Sequence, residues 1–266
     1  MLIVELNDIL LKEQQNLPDA FLIGIEGFSS ETFKQYTLDE VKEIIKDLKN
    51  KNVLSFIDLT NIYHDEHLIK VKELIASIDP DGYFYSDVGI MEYIPLEKRF
   101  YYSQTYITNQ YDLKIVLNEN KYALISPNLS LAELKAFDYQ ENIFLIGFGT
   151  WEIFHSRRPL LSNYFKYREI ESDLIGYSIV EEFRNESYPI IENNGFKVFL
   201  NDYFCLDELL TDNLVIKTFD LNIDATLTVI ECFKNKNLKK LNTLPIKMHQ
   251  ALLYQESILT KGDKNE

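Results

Sequence analysis

Cysteine is nearly missing. The 266 residues hold two, Cys205 and Cys232, with no near neighbour of their kind. That excludes a disulfide framework and a cysteine-rich metal site, and it points to reduced thiols and a cytoplasmic location. Long apolar runs are missing too. The strongest, residues 143–148, is of strand length, against roughly 20 residues needed to cross a bilayer, so no membrane is expected. The first residues lack the basic start and apolar stretch of a signal peptide. Basic residues are few: 27 Lys plus Arg stand against 42 Asp plus Glu, a net charge of −15. Charge of that sign repels phosphate backbones and disfavours nucleic acid as a partner. Gly-x-Ser-x-Gly and His-Glu-x-x-His are both absent, as are internal repeats and low-complexity tracts. Nothing in the residues calls for a cofactor or a metal.

What is present is enough apolar sequence, 46%, for a full core, arranged as strands alternating with helices. Residues 2–6, 21–25, 53–57, 83–85, 100–102, 122–125 and 143–148 read as short strands. Thr37 and Glu40 make a capping box before a stripe of Val41, Ile44, Ile45 and Leu48. Asp65 is placed to cap a second helix that stops before Asp79-Pro80. Ser130 and Glu133 form another capping box, opening a short helix to Phe137. This alternation predicts parallel strands with helical crossovers. The length suits an α/β fold of the TIM-like (β/α) barrel type, with a doubly wound open sheet as the alternative. After Trp151 the pattern turns antiparallel, and Asn193-Asn194-Gly195 is a hairpin signal. A small antiparallel β insertion is expected near residues 173–200. A last strand at 214–217 and a helix at 224–233 complete a single domain over residues 1–240. Residues 241–266 are expected to form a C-terminal helix and tail. The 17 Tyr and 17 Phe read as core and barrel layers.

Active sites of (β/α) barrels sit on the loops after strand C-termini. Polar residues there are the ligand-binding candidates: Glu26, Asp58 with Asn61, Gln104 with Asn109, and Ser126. His155 follows the seventh strand and is the candidate catalytic acid or base. Arg157 and Arg158 can clamp a carboxylate through paired N–H groups, which points to a small anionic ligand. His64-Asp65-Glu66-His67 has metal-like spacing but no third ligand in view, and reads as a helix start. Lys234, Lys236, Lys239 and Lys240 suit the C-terminal dipole of the last helix.

Several phrases in a fixed order resemble one family. Phe28-Ser29 follows a strand. Asp87-Val88-Gly89-Ile90 comes next, then Ser103-Gln104-Thr105-Tyr106-Ile107-Thr108-Asn109. Leu129-Ser130-Leu131-Ala132-Glu133-Leu134 and Leu160-Leu161-Ser162 complete the series. Over residues 1–235 the chain is similar to the U32 peptidases, the collagenase-like proteases. The resemblance implies a TIM-like barrel and covers Gln104 and Asn109 with a family motif. Several relatives bind a four-iron cluster through four cysteines; two of those positions fall here on Glu152 and Pro159, and only Cys205 sits where a ligand is expected. One thiolate cannot hold such a cluster. The chain therefore reads as a diverged, clusterless member. The resemblance implies three roles: an accessory subunit that binds a small carboxylate or peptide, or pairs as a heterodimer with a cluster-bearing paralogous U32-type protein; an active U32-type peptidase working at the barrel mouth; and, more weakly, an RNA-base hydroxylation factor, since paired relatives support hydroxylation of ubiquinone precursors or RNA bases.

Overall fold

The computed structural model describes residues 1–8, 10–12, 17–102, 107–139, 141–174, 176–183, 186–192 and 195–255. The chain begins with β1 (Leu2–Glu5), β2 (Ala20–Ile25), a two-residue β3 (Gln35–Tyr36) and α1 (Leu38–Asn50). It continues through β4 (Leu54–Leu59), α2 (Asp65–Ser77), β5 (Gly82–Tyr85), β6 (Arg99–Tyr101), α3 (Gln110–Glu119), β7 (Tyr122–Leu124), α4 (Leu131–Leu134) and β8 (Ile143–Gly149). Then come β9 (Glu152–Ser156), α5 (Leu160–Arg168), β10 (Ser178–Glu181), β11 (Glu186–Glu192) and β12 (Phe196–Phe199). The last elements are β13 (Tyr203–Cys205), β14 (Leu214–Ile216), α6 (Ile223–Lys234) and β15 (Met248–His249).

Strands β1, β2, β4, β5, β6, β7, β8 and β14 pair in that order, each parallel to the next. The β14–β1 pairing, with Leu2 opposite Leu214, closes the ring. The product is the TIM-like barrel that the alternation predicts. Strands β1, β2, β5, β8 and β14 are buried end to end, as apolar runs covered on both faces must be. The interior is packed with rings: Phe84 meets Phe100, and Phe100 meets Tyr122 and Phe144. At the β8–β14 seam Gly149 takes φ +142, where a Cβ would stand 2.4 Å from that of Lys217. Only glycine allows the two strand ends to approach so closely.

The helices follow local chemistry. Thr37 and Glu40 complete their capping box, and Val41, Ile44 and Leu48 bury the predicted stripe. The Ser130–Glu133 box is also complete, but α4 ends at Leu134, short of Phe137. The N-cap of α2 is His64 rather than Asp65, with no side-chain cap bond; the turn is fixed instead by Asp87, which accepts from the Tyr63 N–H at 2.9 Å. The insertion is an antiparallel sheet ordered β10-β11-β12-β9. It recruits β9, upstream of the expected 173–200 segment, and has its own small core of Leu161, Ile190, Phe196 and Val198. The described part of the C-terminal segment forms no α-helix. Its two-residue strand β15 pairs with β13, followed by a turn held by the Leu131 N–H on the Leu253 carbonyl at 2.7 Å.

Candidate functional site at the barrel mouth

A layer of polar side chains crowns the aromatic interior. Side chains two residues apart on a strand share a face, and four inward columns end in a polar group at the strand C-terminus. Glu5 stands above Ile3, Asp58 above Phe56, Tyr102 above Phe100 and Lys217 above Val215; all four polar residues are buried. The loop after β2 lowers Glu31 into this layer, and β12 of the insertion adds Lys197.

Asp58 shapes that loop. Its Oδ2 accepts from the N–H groups of Glu31 (3.0 Å) and Thr32 (2.8 Å) and from the Thr32 hydroxyl (2.8 Å). Its Oδ1 accepts from the Thr60 N–H (2.9 Å) and hydroxyl (2.5 Å). Burial raises the Asp58 pKa, against the opposing Thr60 bonds. Glu31 then receives Lys197 on one oxygen at 2.9 Å and Lys217 on the other. Lys197 also lies 2.8 Å from Glu152. Burial pushes Glu31 up, but the two lysines outweigh it and hold the carboxyl well below its usual range. Burial disfavours the charge on both lysines, and Glu31 overrides it, so their pKa values rise. Glu5 forms no ion pair among the described residues. It accepts from the N–H groups of Phe33 (2.7 Å) and Thr218 (3.1 Å), and burial lifts it to about 7.

Above this layer lies a cavity of about 700 Å³. Glu31, Tyr102 and Glu152 face it from below, while Trp151, Phe154 and Leu252 give it apolar walls. The exit of β8 therefore reaches the same cavity as the end of β6. His155 lines the rim, its Nδ1 3.6 Å from Glu152 Oε1.

The other sequence candidates fall elsewhere. Asp58 sits in the polar layer but is consumed by its five hydrogen bonds. Asn61 borders the mouth and accepts from the Ile62 N–H at 2.9 Å. Glu26 is exposed, away from the cavity lining. Ser126 is buried, and its hydroxyl accepts from the Asn128 N–H at 3.3 Å. Asn109 caps α3, accepting from the N–H groups of Tyr111 (2.9 Å) and Asp112 (3.0 Å). Arg157 is exposed and 3.0 Å from His64 Nε2, and Arg158 is exposed beside it; neither lines the cavity. Gln104 lies outside the described residues. Among those residues no group of three metal-ligating side chains comes together.

Glu5, Glu31, Tyr102, Glu152, Lys197 and Lys217 join the site without being among its sequence candidates. Glu5, Tyr102 and Lys217 carry a legible signal: each is the polar end of an apolar strand column. Lys197 carries none, because Phe-Lys-Val-Phe reads as a strand with its lysine in solvent.

A four-cysteine cluster does not fit these residues. Cys205 is buried on β13 and Cys232 on α6, and burial pushes the Cys205 thiol up to about 12. Glu152 is engaged by Lys197, and Pro159 is the N-cap of α5.

No curated protein matches the chain. The solved structure of the U32 peptidase Mk0906 is similar, with a TM-score of 0.53 at 14% identity, over 81% of this chain and 91% of that one. That likeness shows the fold. No helix among the described residues is long and apolar enough to cross a membrane. The model of peptidase family U32 matches residues 12–175, more than half of the sequence, and the chain therefore belongs to peptidase family U32.

Proposed function

We propose that the barrel mouth binds a short peptide without cleaving it, and that the chain serves as an accessory subunit to a catalytic partner. The observation that carries this reading is the cavity itself: apolar walls over a charged, buried floor, of a size that suits a few residues of peptide. The charged groups facing it are carboxylates, with Lys197 and Lys217 behind them. A peptide suits that surface better than the small carboxylate suggested by Arg157 and Arg158. The name of the similar U32 peptidase also supports a peptide as the ligand class. Against cleavage stands the absence, among the described residues, of any histidine hydrogen-bonded to a serine, threonine or cysteine, the usual activated nucleophile. The solvent-facing apolar side chains of Tyr167, Ile179, Val180 and Phe183 support a partner surface on the insertion. Incubation with a mixed peptide pool, followed by mass spectrometry of the bound and free fractions, tests the reading. Peptides retained intact support it; no retention refutes it.

The Glu152–His155 contact favours one second reading, a peptidase in which the carboxylate orients an imidazole as general base for water. New termini that vanish in His155→Ala would establish that reading instead.

A further inference from the structure

The cavity runs along the open edge of the insertion sheet. Five consecutive residues, Trp151 through His155, line it. Side chains alternate between the two faces of a strand, so a cavity lying on one face would meet only every second residue. Here both faces contribute. His155 pairs with Lys197 and shares the face turned to the polar layer. Phe154 is on the other face with Phe196, whose ring centre lies 6.2 Å from its own and which belongs to the small core of the insertion. A cavity bounded by both faces of β9 has the main chain of that strand between them.

The hydrogen-bond pattern of the sheet gives the main-chain groups on that edge. Ile190 of β11 donates its N–H to the Tyr177 carbonyl at 3.1 Å, on the β10 side. Along an antiparallel strand, successive residues direct their N–H and C=O to opposite sides. Ile191 therefore bonds Lys197, Val198 bonds Phe154, and His155 directs both of its groups away from β12. Beyond the irregularity at Val198 and Phe199, Leu200 donates to the Trp151 carbonyl at 2.9 Å, which turns Glu152 outward in the same way. Strand β9 is the end of its sheet. Among the described residues no hydrogen bond reaches the outward main-chain groups of His155 and Glu152.

We propose that the bound peptide lies extended along β9 as a fifth strand of the insertion sheet, its main chain paired with those of His155 and Glu152. An open sheet edge is a template for one more strand, and extended peptides dock on such edges through main-chain bonds. The charges agree with a neutral main chain as the recognised group. Glu31 and Glu152, the carboxylates that face the cavity, are matched by Lys197 and Lys217, so the floor leaves no charge to be met. Alternate side chains of the peptide meet the apolar walls of Trp151, Phe154 and Leu252. The inference rests on the peptide reading above and names the part of the peptide that is held. It makes the site tolerant of sequence and dependent on peptide N–H groups.

Trp151 is the chain's one tryptophan, so its fluorescence reports on this cavity directly. The full chain is titrated with acetyl-Thr-Val-Leu-Val-Thr-amide, which carries no charge, and with its five singly N-methylated forms. Methylation is expected to weaken binding about fivefold or more at amides of one parity, the effect of losing a main-chain hydrogen bond. The amides between them point away from β9, and methylating those is expected to change affinity by less than about twofold. On the protein side, His155→Pro removes the outward N–H without touching the ladder to β12. It is expected to bind the parent peptide about fivefold more weakly than His155→Ala, which keeps that N–H. Equal loss or equal binding across the five methylated forms overturns the strand. So does failure of the parent peptide to bind while the mixed pool yields retained peptides, and the peptide reading then stands alone. If the pool also yields none, both fall.

Discussion

A carboxylate folded into a barrel interior with no cation of its own takes up a proton, and Glu5 does so near neutral pH. Its pKa of about 7, against an ordinary 4.5, is set first by burial and then opposed by two N–H donors and Lys217. The folded state binds the extra proton. The stabilisation is therefore fully present below about pH 4.5 and is lost as pH rises through about 7. Across that window the loss is on the order of 3 kcal/mol. His249, whose pKa is lowered by burial, acts with the opposite sign, so the variant comparison must isolate Glu5. The stability of Glu5→Gln relative to the native chain, from urea unfolding, is expected to rise steadily from pH 5 to pH 8. A difference that does not change with pH would show that Glu5 is charged throughout. Glu31 gives the converse case. With Lys217→Met it keeps Lys197 but loses half of its compensation, and breaking a buried pair typically costs about 3 kcal/mol or more. The double variant Glu31→Leu with Lys217→Met is expected to recover part of that loss, because the orphaned charge goes with its partner. Equal destabilisation in the single and double variants would contradict the coupling.

At the scale of elements, capping chemistry was the most legible part of the sequence. The Thr37 and Ser130 boxes stand where the residues put them, because a capping box satisfies its own donors within four residues and needs no tertiary partner. Helices α3 and α5 were not legible. Asn109 reads from sequence as a ligand group rather than a cap, and α5 borrows its N-terminal acceptor from Glu192, which is remote in sequence: it takes the Leu161 N–H at 2.8 Å and the Ser162 N–H at 3.1 Å. Among the described residues the expected C-terminal helix is missing for a similar reason, since pairing with β13 is a long-range contact that overrides the local amphipathic pattern. Asn109 separates the structural from the ligand reading. Asn109→Ala is expected to lower stability by about 1 kcal/mol through loss of the cap and to leave peptide affinity unchanged. Weakened binding with unchanged stability would return Asn109 to the site.

At the scale of the whole molecule, eight strands were legible because each buries both faces and reads as a continuous apolar run. Their closure into a ring was legible as a count of units against length. The candidate site was only half legible. Columns ending in Glu5, Asp58, Tyr102 and Lys217 follow from alternation along single strands, whereas Lys197 reaches the mouth only because the antiparallel sheet folds back over it. Its ion pairs with Glu31 and Glu152 join an insertion with a small core of its own to a barrel with a large one. Such a joint makes the two bodies cooperative only while it is intact. In Lys197→Met, native-state hydrogen exchange is therefore expected to speed up at the amides of β9 and β12, with β2 and β4 unchanged. If exchange instead rises uniformly through the barrel strands, Lys197 supports the global fold rather than the seating of the insertion. The mouth would then depend on the barrel alone for its shape.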